Sequence, residues 1–295
     1  MRVFRAIAAF TSSLVLPASL YASLDLPQIE ARIKIQDSTV ALARGYWRGV
    51  PRSETLPVAL QKGLIQSLPA ELTGGCRQMI SYWGQIAEGT ERWSVRSLHA
   101  GGNTAWIAFR CGSTAHEYAE SYDERLAVLR LDEGILEFVP VRPVLEGESF
   151  MFHLKFDEEL PLPAGTGIAF RLSSSTDNPC CDGGDRSSED RLIVFATDSG
   201  ATRQVLSVVI GRDDYSHDDV DGDGETVYKA QVHFESDASD HVIAATASFR
   251  EQVKNYDLDG NLPPPQPSPR VGELKFIWDN AAGRFVEAPQ NTGTR

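Results

Sequence analysis

The stretch Tyr228-Lys229-Ala230-Gln231-Val232-His233-Phe234 carries apolar residues at every second position and polar residues between them. Successive side chains of an extended chain point to opposite faces, so this period of two describes a strand with one face buried. Phe150, Phe152, Leu154 and Phe156, alternating with Met151, His153 and Lys155, repeat the device. Working outward from these two runs, strands are expected at about 167–173, 190–197, 203–211, 226–235, 241–250, 272–279 and 284–287. Upstream, Trp93 to Leu98 and Thr104 to Cys111 flank the turn-like His99-Ala100-Gly101-Gly102-Asn103, and 126–131 and 135–141 flank Asp132-Glu133-Gly134.

Before Gly74-Gly75 the period changes. Leu60, Leu64, Ile65 and Leu68 fall at helical spacing, with Thr55 as an N-cap and Pro69 closing the run. The expected fold is therefore mainly β, as antiparallel meander sheets or a sandwich, with a short helical N-terminal segment. Its divisions are a signal peptide (1–22), a helical segment (23–75), a first β module (76–145), a second β meander (146–288) and a tail (289–295). The aromatic residues Trp93, Trp106, Phe109, Phe276, Trp278 and Phe285 alternate on strands, which marks them as core rather than as a sugar-stacking platform.

Residues 1–22 are expected to direct export. Arg2 and Arg5 form a basic start, an apolar stretch runs from Ala6 to Leu20, and Ala22 supplies a small residue for cleavage. The stretch is short and interrupted by Pro17, against the roughly 20 apolar residues a membrane span needs. The expected location is periplasmic or secreted, with no membrane insertion. Without Arg2 and Arg5, 26 basic residues face 41 acidic ones, a net charge of −15. Such a surface repels nucleic acid, whose binding requires a basic face, and leaves divalent cations and basic proteins as partners.

An oxidising compartment makes Cys76 and Cys111, which flank a hairpin, natural disulfide partners. Closing that loop contributes about 3–4 kcal/mol on the chain-entropy account. Cys180 and Cys181 are adjacent, and either bond each other through a strained peptide or pair elsewhere.

Three connections are long: 173–189, 212–225 and 252–271, the last holding Pro263, Pro264, Pro265, Pro267 and Pro269. In an antiparallel meander each strand reverses direction, so alternate connections share an end. The order long, short, long, short, long gathers all three long connections at one end, where rigid scaffolds commonly build sites. The middle connection holds seven acids and no Lys or Arg between Asp213 and Glu225. Within it, Asp219-Val220-Asp221-Gly222-Asp223-Gly224-Glu225 sets oxygens at every second position, the spacing of the first half of a calcium loop. Position twelve of that pattern is Ala230 rather than a bidentate Glu, and the flanks are strands, so this is not an EF-hand. A Ca2+ ion bound by Asp219, Asp221, Asp223 and Glu225 needs further ligands, for which Asp257 and Asp259 are available. The competing reading is a solvated turn, since Asp-Gly is a favoured hairpin dipeptide.

No nucleophile elbow, His-Glu-x-x-His, phosphate loop or dinucleotide fingerprint occurs. The leading expectation is an exported protein that binds a ligand or partner, with calcium ordering its acidic end. Two alternatives stand beside it: a metal-dependent hydrolase in which His217 or a carboxylate activates water, and an envelope structural or inhibitory protein docking a basic partner.

Overall fold

The computed structural model describes residues 31–47, 56–68, 93–101, 104–116, 119–130, 134–139, 150–177, 186–197, 202–216, 223–256 and 266–289. The segment 1–22 read as a signal, Thr55, Pro69 and residues 217–222 of the acidic connection lie outside these residues. The first elements are β1 (Ala31–Lys34), α1 (Asp37–Trp47) and α2 (Val58–Ser67). Leu60 and Leu64 are the buried stripe of α2, as their spacing requires. Gly63 lets α1 approach closely, because a Cβ there would meet Thr39 Oγ1 at 2.6 Å. β1 has no counterpart among the expected strands. Its alternation of Ala31, Ile33 and Ile35 with Arg32 and Lys34 is too short to stand out, and its four residues pair with β5.

Four further strands complete a five-stranded sheet: β2 (Trp93–Gly101), β3 (Thr104–His116), β4 (Ala119–Arg130) and β5 (Ile135–Val139). The spatial order is β1-β5-β4-β3-β2. The remaining strands are β6 (Phe150–Leu162), β7 (Gly165–Asp177), β8 (Arg186–Thr197), β9 (Thr202–Ser216), β10 (Gly224–Ser236), β11 (Val242–Asn255), β12 (Arg270–Asp279) and β13 (Arg284–Glu287). They form one eight-stranded sheet in unbroken chain order, every neighbour antiparallel. The meander expected from the alternating runs is the observed architecture.

Both faces of this sheet carry core. In β8, Arg191 to Ala196 are all buried, so strict alternation is absent there for a physical reason: each face has a partner. On one face Phe170, Ile193 and Phe195 pack against Trp106, Ala108 and Val139 of the smaller sheet, with the Trp106 ring 5.4 Å from Phe170 and 5.8 Å from Phe195. On the other face Leu192, Val194, Leu206 and Val208 pack against Phe249, Phe276, Trp278 and Phe285. A bulge between Phe156 and Glu158 moves β6 from one core to the other. Leu154 therefore joins the first core, while Leu160 and Leu162 join the second.

The second core closes because the sheet splits. Gly224 to Lys229 of β10 pair with Gly211 to Ser216 of β9, and there the pairing stops. Beyond it β9 keeps only β8 and β10 keeps only β11. β10 to β13 swing across β6 to β9 and cover their apolar face. Although it lies inside the sheet order, β10 has no fully buried residue. That is the exposure of a strand bordering an opening.

Candidate functional site

Four of the described strands run four or five residues further into the expected long connections than their apolar patterns do. β7 continues to Asp177, β8 begins at Arg186, β9 reaches Ser216 and β11 reaches Asn255. These extensions are polar, because ladder hydrogen bonds come from the backbone and need no apolar side chain. The pairs Asp177–Arg186 and Ser216–Gly224, and the end of β11 at Asn255, all lie at one end of the sheet. Residues 178–185, 217–222 and 257–265 connect strands there.

Four residues stand in register across this end: Arg186, Tyr215, Glu225 and Lys254 on β8, β9, β10 and β11. Cα partners share a face, so the row is continuous. The Arg186 guanidinium lies 5.0 Å from the centre of the Tyr215 ring. The Tyr215 hydroxyl donates to Asp223 Oδ2, which raises the phenol above its ordinary value, with burial and the Asp223 charge adding to the effect. Lys254 Nζ and the Tyr256 hydroxyl both donate to Glu225 Oε2, each at 2.7 Å. These bonds hold the Glu225 carboxyl below its ordinary value. The same bonds raise Lys254 and Tyr256 above theirs. The Tyr256 N–H donates to the Asp223 carbonyl at 2.8 Å, tying the two strand ends together. Ser187 Oγ donates to Asp214 Oδ1 at 2.6 Å, and Arg212 Nε to Asp214 Oδ2 at 2.5 Å. The acids at the ends of β9 and β10 are thus braced by tyrosines and bases.

Of the residues singled out for calcium, Asp223 and Glu225 fall in this network, while Asp219 and Asp221 lie outside the described residues. So do His217, Asp257, Asp259, Cys76, Cys180 and Cys181. Cys111 lies on β3 opposite Trp93 and Asp123. Among the described residues no group of three His, Cys, Asp or Glu is placed to hold a metal. None of the described helices is long and apolar enough to cross a membrane.

Two rows further from the loop end, a groove of about 720 Å³ opens where β9 and β10 part. Its central row is Asp190, Gly211, Lys229 and Arg250, again Cα partners across β8 to β11. Asp213 lies two residues along β9 from Gly211, on the same face. No sequence signal pointed to Asp190, Gly211, Lys229 or Arg250. Lys229 read only as the polar face of a strand, because register between strands is not written in either strand alone.

Comparison with protein-family models, curated proteins and solved structures finds no match.

Proposed function

We propose that this is an exported binding protein whose partner-facing surface is the end of the meander where the three long connections meet. The observation that carries this reading is the consecutive antiparallel order of β7 to β12, with the braced row Arg186–Tyr215–Glu225–Lys254 as a rigid base. Rigid strands beneath long connections are a common basis for recognition, and a net charge of −15 for residues 23–295 suits a cationic partner.

Calcium orders the middle connection in this reading. Asp219, Asp221 and Asp223 supply carboxylate ligands, and the crowding of Asp218, Asp219, Asp221 and Asp223 along the chain supports a cation there. Glu225 Oε2 already accepts from Lys254 and Tyr256, so Glu225 serves chiefly as the brace and its remaining oxygen as a lesser ligand. Export by residues 1–22 and a Cys76–Cys111 disulfide belong to the same proposal, since both suit an oxidising, calcium-rich compartment.

Calorimetric titration of the mature protein tests the metal. Calcium is expected to bind with one-to-one stoichiometry, magnesium to bind far more weakly, and Asp221→Ala to abolish the signal. Equal heats for the two ions, or for wild type and variant, contradict the proposal. A hydrolase built on the same cluster requires a water-activating group near the metal, and no described residue favours it.

A further inference from the structure

The groove where β9 and β10 part has a charge arrangement that the fold does not need. Lys229 and Arg250 are directly opposite each other on β10 and β11. Like charges at directly opposed positions of a sheet destabilise it unless an anion lies between them. Elsewhere on β11 and β12 the bases are matched: Lys254 with Glu225, Arg270 with Glu251, and Lys275 with Glu235. Among the described residues neither Lys229 nor Arg250 has an ion-pair partner, nor does Asp190, and Asp213 acts on Lys254 through its charge without an ion pair. All four are exposed and line the same groove.

Gly211, next but one to Asp213 on β9, separates Asp190 from the bases. It stands between Asp190 and Lys229 in the row, and a Cβ there would lie 3.2 Å from Asp190 Oδ2. The glycine therefore leaves a bare floor about two strand spacings, roughly 10 Å, from one charge to the other. The volume, about 720 Å³, lies in the range of small-molecule sites.

We infer that this groove binds a small amphoteric ligand of the peptide class, its carboxylate on Lys229 and Arg250 and its ammonium group toward Asp190 and Asp213. A polyanion is disfavoured because the chain as a whole is strongly acidic. A zwitterion brings its own compensating charge, and a short peptide spans the distance across Gly211. The inference rests on the sheet register and not on calcium at the loop end.

The probe is trialanine, compared with its C-terminal amide and its N-acetyl form by saturation-transfer NMR on the mature protein in EDTA. Trialanine is expected to bind, and each blocked form to lose affinity tenfold or more. Lys229→Gln/Arg250→Gln is expected to lose trialanine binding while keeping the wild-type melting temperature within about 2 °C, since both side chains are exposed. Absence of trialanine binding by the wild type overturns the inference. Equal binding of the blocked peptides overturns it as well, and needs no variant to fold. Because EDTA is present throughout, failure of the calcium proposal leaves this result intact.

Discussion

Lys254 and Glu225 are Cα partners across β10 and β11, and their side chains close a 2.7 Å ion pair at the end of the sheet where the acidic connection enters. Bonds from Lys254 and then Tyr256 lower the Glu225 pKa, so this carboxylate stabilises the fold at neutral pH. That contribution is lost as pH falls through its depressed folded value. Lys254 is raised, chiefly by Glu225, so its part holds up to its ordinary value and is lost only as pH rises through the raised one. Lys254→Met is expected to lower the melting temperature by about 2 °C near pH 7. In acid, where Glu225 is protonated, the difference between variant and wild type is expected to shrink toward zero. Scanning calorimetry at the two pH values measures it, and a gap that persists in acid contradicts the pairing.

Arg191 and Glu189 lie two residues apart on β8, both almost fully buried, with Arg191 Nε donating to Glu189 Oε1 and Nη1 to Ser207 Oγ at 3.1 Å. Removing one member of a buried pair leaves an uncompensated charge. Arg191→Met is expected to destabilise the protein by about 3–5 kcal/mol. Glu189→Gln/Arg191→Met is expected to recover most of that, because neither charge then remains buried. Urea unfolding of both variants decides the matter; a double variant no better than the single one means that Arg191 acts through packing alone.

Gly283 closes the turn between β12 and β13 at φ +61°, and a Cβ there would lie 2.4 Å from Arg203 Nη2. Gly283→Ala is expected to cost about 1–2 kcal/mol from the left-handed backbone alone. Gly224→Ala is the control, since its Cβ meets only Ser216 Oγ at 3.0 Å and its backbone is not left-handed. Thermal midpoints are expected to separate the two by several degrees.

If export is as proposed, the protein begins at Ser23 and carries a Cys76–Cys111 bond. Intact mass and a non-reducing peptide map of protein recovered from the cell exterior or periplasm read both. Recovery of full-length chain with free Cys111 contradicts export and disulfide together.

Much of the fold is legible in the sequence because β10 and β6 alternate so regularly that their faces are fixed by pattern. The antiparallel order then follows from short turns such as Asp279 to Gly283. Less legible are the strand ends: Arg212 to Ser216 look like loop because their side chains are polar, yet their backbones pair with Gly224 to Tyr228 on one side and Arg186 to Glu189 on the other. The bulge at Asp157 is hidden too, since Phe156 and Leu160 look in phase along the chain but face different cores. Of the loop-end network, the acids were visible and their partners were not. Tyr215, Lys254 and Tyr256 reach Asp223 and Glu225 only through register, which depends on two strands at once.

Calcium at the acidic end is the central claim, and thermal unfolding of the mature protein in EDTA and in millimolar calcium, with magnesium as control, tests it most directly. At 100 times its dissociation constant a ligand that binds only the folded state adds about 2.7 kcal/mol, so calcium is expected to raise the midpoint by about 5 °C. The rise is expected to be absent with magnesium and in Asp221→Ala. An unchanged midpoint in calcium means that the acids between β9 and β10 are simply solvated, and the calcium proposal falls.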